Sequence, residues 1–196
     1  LSKDPLWLDA YVDRIQRMVA RDKNDTCVFM WSLGNETGCG PNLDKCADWL
    51  KALPHRKIVI HVQDDSRNPK NCDLRSNGYC NMESLMSFEE EGEPVLLIEY
   101  AHAMGNSPGL LEDYWDYIYT HPHMCGGFAW EFKNHGFFRE DPEGNPYYQY
   151  GGDFGDINHW ANFSMDGFCI SDGTPKPSLL EYKEVLSPAY ATLSDG

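Results

Sequence analysis

The chain has 196 residues, of which 41% are hydrophobic and 13% aromatic, enough to build a packed core and to argue against a disordered protein. Its formal charge of −15 argues against binding to nucleic acid or to an anionic membrane surface, and it suits a neutral substrate. No apolar stretch approaches the roughly 20 residues that a membrane-spanning helix needs. The composition therefore predicts a soluble globular enzyme.

The cysteine content predicts reduced thiols. Seven cysteines form an odd set without a close CxxC pair, which argues against both a disulfide framework and a zinc site. We therefore expect a cytoplasmic protein. Because the chain opens on Leu1 rather than on methionine, the sequence leaves open whether a signal peptide precedes it.

The first half of the chain alternates between helix and strand patterns. Apolar residues at helical spacing predict a helix that begins at Asp4 and Pro5 and ends near Arg21. An apolar run at 27–33 predicts a strand that stops before Glu36. The pattern then predicts a helix opening at Pro41, a strand at 57–62 and a weakly indicated strand at 73–79.

The second half continues this alternation. A helix is predicted at 82–91, then a buried strand at 95–98 that is followed by Glu99, and then a helix capped by Ser107 with Pro108 at its first position. The remaining predicted elements are a strand at 126–130, a long loop at 134–162 and a final helix at 178–186. A loop of that length inside a compact domain is typically functional.

Repeated strand–helix units indicate a parallel sheet with right-handed crossovers, either doubly wound or closed into a barrel. We count five such strands, whereas a closed barrel of this type needs eight. Polar side chains follow the carboxyl ends of these strands, which is where active sites of such sheets lie.

Two carboxylates occupy equivalent places, since Glu36 and Glu99 each follow an apolar strand. Two acids on one rim can act as the acid and the nucleophile of glycoside hydrolysis. The alternative is that each acid pairs with an arginine or caps a helix. Trp130 favours a sugar site because sugars lay their apolar face on aromatic rings, although a core tryptophan is the plainer interpretation. His102 lies three residues past Glu99, close enough to reach a bound hydroxyl, although a lone His more often bonds to the backbone of a loop. Tyr79, at the end of the weakly indicated strand, could donate a hydrogen bond from its phenol to a carboxylate.

Four sequence blocks resemble glycoside hydrolase family 2, and within it the large bacterial β-galactosidases. The blocks are WSLGNETGCG at 31–40, LIEYAHAMGNS at 97–107, GGFAWEF at 126–132 and YGGDFGD at 150–156. The resemblance implies an α/β fold that is part of a (β/α)₈ TIM barrel, approximately strands four to eight. It further implies that residues 1–186 form the C-terminal part of the catalytic barrel, and that 187–196 begin a linker to a β-sandwich domain.

The resemblance also implies the roles of single residues in a retaining β-galactosidase acting on galactosides such as lactose. Glu36 would be the acid/base and Glu99 the nucleophile, about 5 to 5.5 Å apart. The resemblance implies that Asn35 would hydrogen-bond the sugar 2-hydroxyl and that Tyr79 would contact the nucleophile. His102 would hold the ring hydroxyls, and Trp130 would form the floor of the galactose site.

Two metal ions are implied by the same resemblance. Magnesium would be held by Glu36 together with two upstream ligands that this chain lacks. Sodium would be held by the backbone oxygen of Phe163 and by Asp166, where the family more often has Asn. Cys39 stands where members of the family often have His, and this change affects the rim of the site. Asp25 departs from the His-Pro-Ser turn that is usual in the family.

Other functions stay open at this point. Another family 2 exo-glycosidase, such as a β-glucuronidase or a β-mannosidase, would be separated by a panel of nitrophenyl glycosides. A non-catalytic sugar-binding protein would keep the aromatic platform but would form no covalent adduct on Glu99.

We expect a galactoside as the substrate, no nucleic-acid or membrane partner, and a homo-oligomer for the full-length protein. The 196 residues alone are expected to be inactive, because an incomplete barrel has open sheet edges.

Overall fold

The computed structural model describes residues 1–62, 72–89, 92–189 and 191. The chain forms two compact units. The first unit comprises 1–98 with 122–127, and the second comprises 99–121 with 128–196. No helix in the described part of the chain combines the length and apolar character needed to cross a membrane.

The first unit contains most of the alternating helices and strands. Asp4 caps the N-terminus of the first helix, since its carboxylate accepts a hydrogen bond from the N–H of Leu6 at 3.0 Å. The elements that follow are a 3-10 helix at Pro5–Trp7, α1 at Leu8–Asp22, β1 at Met30–Asn35, α2 at Pro41–Lys51, β2 at Ile58–Val62, β3 at Arg75–Gly78 and α3 at Met82–Glu89. The predicted order of elements is confirmed here, including the weakly indicated strand β3.

Helices α1 and α2 pack with β1 and β2 into the core of the first unit. Strands β1 and β2 are parallel, with Met30 opposite Ile58 and Trp31 opposite Val59. The buried side chains of this core are Ile15, Val19, Trp31, Leu33, Leu43, Cys46, Ala47, Leu50 and Val59. The parallel pairing fixes the carboxyl ends of both strands at the same edge of the sheet, which is where Glu36 follows.

The second unit contains the later helices and an antiparallel hairpin. Strands β4 at Val95–Tyr100 and β5 at Met124–Ala129 have residues in both units and form a sheet of order β3–β4–β5. The other elements are α4 at Leu111–Thr120, β6 at Phe137–Glu140, β7 at Pro146–Gln149 and α5 at Pro177–Val185.

Tyr100 anchors the end of β4 to both helices of the second unit. Its hydroxyl accepts a hydrogen bond from Trp115 Nε1 at 2.7 Å and donates one to the Tyr182 hydroxyl at 3.0 Å. Tyr182 in turn stacks on Phe168 with ring centroids 4.9 Å apart. Burial and the bond to Tyr182 raise the pKa of Tyr100, so this phenol stays protonated as a structural hydrogen-bonding group.

Several predicted boundaries differ from the structure, including β3 and β5, which were predicted at 73–79 and 126–130, and three further differences have a local cause. The first strand occupies Met30–Asn35 rather than 27–33, because the N–H of Val28 bonds back to the carbonyl of Asp25 and closes a turn. Glu99 lies within β4 instead of following it. The helix after Ser107 begins at Leu111, because Leu110 takes a left-handed conformation that a right-handed helix cannot continue.

The predicted loop at 134–162 contains regular structure that the sequence reading missed. Strands β6 and β7 pair antiparallel, with Phe137 opposite Gln149. The turn between them is closed by Asp141, whose carboxylate accepts hydrogen bonds from the backbone and side chain of Asn145 at 2.7 and 2.8 Å. All four residues of β6 are exposed, so the strand lacks the alternating pattern that would have revealed it.

All seven cysteines are free thiols, which confirms that prediction. Burial raises the pKa of Cys46 to about 11 and that of Cys72 to about 12. These two thiols therefore behave as small apolar core residues.

A substitution at Gly167 tests the packing of the second unit. A Cβ atom at Gly167 would overlap the backbone of Lys133 and Asn134, whereas one at Gly109 would meet no atom within 4 Å. We expect Gly167→Ala to lower the free energy of unfolding by about 3 kcal/mol through this overlap. The matched variant Gly109→Ala is expected to change it by less than about 0.5 kcal/mol. Equal urea-unfolding midpoints for the two variants would contradict the packing described here.

Candidate active site

Three strands end in the same unusual way, with a non-glycine residue in the left-handed region. Glu36 follows β1 with φ 49°, Tyr79 follows β3 with φ 50°, and Ala101 follows β4 with φ 57°. Such a conformation costs roughly 1–2 kcal/mol for an L-residue. Strain of this kind collects at functional sites, so each of these strand ends is a candidate position for functional residues.

The first unit places Asn35, Glu36 and Tyr79. Asn35 is the last residue of β1 and lies opposite Val62 in the sheet, and the exposed Glu36 comes directly after it. Tyr79 is 45% exposed and lines a polar cavity of about 380 Å³ that also includes Asn77. The acid and the phenol are therefore both accessible to a ligand.

The second unit places Glu99 on the strand end that Tyr100 anchors. Glu99 is half-buried, and Tyr100 is buried with its ring among the helices. Because successive side chains of a strand point to opposite faces, the anchoring of Tyr100 directs Glu99 away from α4 and α5. The left-handed turn at Ala101 then leads to His102.

Asp166 joins the segments that follow β4 and β5. Only 1% of Asp166 is exposed. Its Oδ2 accepts a hydrogen bond from Trp130 Nε1 at 3.1 Å and lies 3.1 Å from Nε2 of His102. Its backbone carbonyl accepts from the N–H of Ala103 at 3.1 Å and from that of Glu131 at 3.3 Å. The structure thus brings together two of the predicted sugar contacts around a predicted sodium ligand.

Two further contacts complete this arrangement. The rings of His102 and Phe163 lie 5.4 Å apart. Lys176 donates a hydrogen bond from Nζ to the carbonyl of Ala103 at 2.8 Å. Burial lowers the pKa of this lysine, whereas the negative charge of Asp166 acts to raise it. Ala103 is therefore held through both its N–H and its carbonyl, which fixes the backbone beside His102.

The residues of the second unit fit a sodium ion. Oδ1 of Asp166 is buried and accepts no hydrogen bond from an N–H or hydroxyl group of the described residues. The carbonyl oxygen of Phe163 also accepts no hydrogen bond from the part of the chain that the structure describes. A carboxylate oxygen and a backbone carbonyl are hard oxygen ligands of the type that such cations take.

The residues do not form a magnesium site by themselves. Within 1–62, 72–89, 92–189 and 191, no three His, Cys, Asp or Glu side chains converge to hold a metal ion. Of the predicted magnesium ligands, this chain supplies Glu36 alone.

Glu131 belongs to the same cluster but was missed as a candidate from the sequence. Burial, a hydrogen bond with Asp166 and the charge of Asp166 raise the pKa of Glu131 to about 7. Its Oε2 lies 3.1 Å from Nε2 of His135. Lys176 was also missed, because its contact with Ala103 spans 73 positions and leaves no local pattern.

Comparison with known proteins identifies the family. The model described as "Glycosyl hydrolases family 2, TIM barrel domain" matches residues 1–190. The chain is 39% identical to a β-galactosidase from Arthrobacter sp. (strain B7), covering 98% of this chain and 21% of that protein. It is 41% identical to a β-galactosidase from Actinobacillus pleuropneumoniae, covering 99% of this chain and 20% of that protein. The chain therefore spans about a fifth of the length of these relatives.

Solved structures agree on the fold. A Faecalibacterium prausnitzii β-glucuronidase matches 90% of this chain and 34% of its own, with a TM-score of 0.57 and 19% identity. A Dictyoglomus thermophilum β-D-glucuronidase matches 90% of this chain and 35% of its own, with a TM-score of 0.60 and 15% identity. At these identities the likeness concerns the fold alone.

The raised pKa of Glu131 predicts a dependence of stability on pH. The folded state holds this proton up to about pH 7, whereas the unfolded chain releases it near 4.5. The contribution of Glu131 to stability is therefore full below the unfolded pKa and is lost as the pH rises through the folded pKa. We expect the urea-unfolding free energy to fall between about pH 4.5 and pH 7, and Glu131→Gln to flatten that fall.

The measurement should use buffers without sodium or magnesium, so that no cation neutralises Asp166. Glu140→Gln, which changes an exposed acid on β6, is the matched control and should keep the wild-type slope. A Glu131→Gln protein with an unchanged slope would contradict the assignment of this proton.

Proposed function

Because the chain belongs to glycosyl hydrolase family 2 and matches its TIM-barrel domain over residues 1–190, we propose that it supplies both catalytic carboxylates of a retaining β-galactosidase. Identities of 39% and 41% to proteins named β-galactosidase, over almost the whole chain, support this substrate. The observation that carries the proposal is the Asp166 cluster, which ties His102 and Trp130 together in the segments that follow the Glu99 strand and β5.

The proposed reaction is a double displacement. Glu36 donates its proton to the glycosidic oxygen while the Glu99 carboxylate attacks the anomeric carbon, so the bond to the leaving group breaks as the galactosyl ester forms. Glu36 then takes a proton from water, the water oxygen attacks the anomeric carbon, and Glu99 leaves as a carboxylate. Two inversions give a β-configured product, and they require the two carboxyl groups to stand about 5 to 5.5 Å apart.

The sugar contacts are assigned to four side chains. We assign the galactose floor to Trp130, whose indole is oriented by its bond to Asp166 and is 39% exposed. His102 is assigned to the ring hydroxyls. Asn35 is assigned to the sugar 2-hydroxyl, and Tyr79 to a hydrogen bond with the nucleophile.

We assign sodium to Asp166 and the carbonyl of Phe163. When bound, the ion would supply a fixed positive charge for sugar hydroxyl oxygens to coordinate. The protein's own contribution is to hold Asp166 between Trp130 and His102, so that the ligand oxygen keeps its place. We assign magnesium to Glu36 with ligands from outside this chain.

The barrel numbering and the context of the chain are part of the same proposal. We take β1 to β5 as strands four to eight, with 1–186 in the catalytic barrel and 187–196 leading to a further domain. The free thiols support a reducing, cytoplasmic location. Exposed aromatic side chains at Phe137, Phe138 and Trp160 support contacts with other domains or subunits, consistent with a homo-oligomer.

Chemical rescue tests the assigned roles. In the intact protein, Glu36→Ala should lower turnover of galactosides with poor leaving groups by about 100-fold or more, because the general acid is lost. Added azide should then restore reaction of an activated aryl galactoside and give β-galactosyl azide, since azide needs no general base. The product configuration is read by proton NMR.

Glu83→Ala removes an exposed acid from the first turn of α3 and serves as the control, with full activity expected. An α-galactosyl azide would contradict retention. Undiminished activity of Glu36→Ala without azide would contradict the assignment of the acid/base.

A further inference from the structure

A groove in the first unit lies between the C-terminal ends of α1 and α2. Its volume is about 410 Å³, which is within the range of small-molecule sites. Trp49 and Leu53, both partly exposed, form its apolar walls, Ala20 lies along its α1 side, and Trp31 lies at its base with 3% exposure. The groove therefore offers an apolar surface large enough for one ring and a short side chain.

The polar residues that line the groove favour an anion. They include Lys23 and His55, and no lining residue is acidic, although the chain has 31 acidic and only 16 basic residues. In the part of the chain that the structure describes, neither Lys23 nor His55 has an ion-pair partner. The nearby Asp22 is already bonded to Arg21 at 2.6 Å.

A second lysine lies over the Trp31 ring but is not among the residues that line the groove. Nζ of Lys57 is 4.9 Å from the centre of that ring and donates hydrogen bonds to the backbone carbonyls of Asp25 and Val28. Its charge also helps to lower the pKa of Asp22. The ammonium group that an anion in the groove would meet is therefore that of Lys23.

The groove is separate from the proposed catalytic residues. Trp31 is the second residue of β1, whereas Glu36 follows its last residue. Five residues of extended strand span roughly 16 Å. A ligand in the groove would therefore leave the sugar site open.

We infer that this groove binds a small aromatic carboxylate. The ring packs against Trp49 and Leu53, and the carboxylate pairs with Lys23 at the rim beside His55. The combination of an apolar wall with a lysine that has no ion-pair partner among the described residues, and with no acid in the lining, distinguishes the site from an apolar face that another part of the protein would cover.

The probe is 3-phenylpropionate, and its neutral counterpart is 3-phenylpropanol. Titration calorimetry of the intact protein at low salt should give about tenfold tighter binding for the carboxylate, because a charge-assisted hydrogen bond forms with Lys23. Lys23→Gln should remove that preference. Lys45→Gln, an exposed lysine on α2 that does not line the groove, should retain it.

Ala20→Phe provides an independent variant, because it fills the groove from an exposed helix position. It should abolish binding of both probes while its thermal melting temperature stays close to that of the wild type. Equal binding of the acid and the alcohol, or unchanged binding to Ala20→Phe, would overturn the inference. Failure of both probes to bind the wild type would also overturn it, and would indicate that a protein segment covers the groove.

Discussion

A single buried carboxylate, Asp166, determines how the proposed sugar site is held in the second unit. A charge with 1% exposure is costly unless several groups compensate it. Here Trp130 donates to Oδ2 and His102 lies within 3.1 Å of the same oxygen, while the backbone carbonyl binds the N–H groups of Ala103 and Glu131. The need to compensate one charge therefore links the segments after β4 and β5, and it leaves Oδ1 as a ready ligand for a cation.

The ends of three strands carry backbone strain next to the residues proposed for the sugar site. Glu36, Tyr79 and Ala101 each take a left-handed conformation directly after a strand. Strain of this type persists only where surrounding structure holds it. For β4 that support comes from Tyr100, whose hydroxyl bonds to Trp115 and whose carbonyl accepts from the N–H of Trp130 at 2.8 Å.

The sequence allowed the order of helices and strands to be predicted, because apolar spacing and proline at the start of helices such as α2 are local signals. The β6–β7 hairpin escaped because its first strand is fully exposed, and the start of α4 was misplaced because Leu110 adopts a left-handed conformation without a glycine. In the site, the family resemblance named Asp166 only as a sodium ligand. The roles of Glu131 and Lys176 depend on contacts between segments far apart in sequence, which periodicity cannot reveal.

The central claim is that Glu99 is the nucleophile of a retaining galactosidase, and a covalent trap tests it most directly. The intact protein is incubated with 2-deoxy-2-fluoro-β-galactosyl fluoride, digested, and mapped by mass spectrometry. The fluorine slows hydrolysis of the galactosyl ester, so the adduct accumulates on the nucleophile. We predict one fluorogalactosyl group on Glu99 and none on a Glu99→Gln variant. A label on any other residue of the active protein would contradict the account.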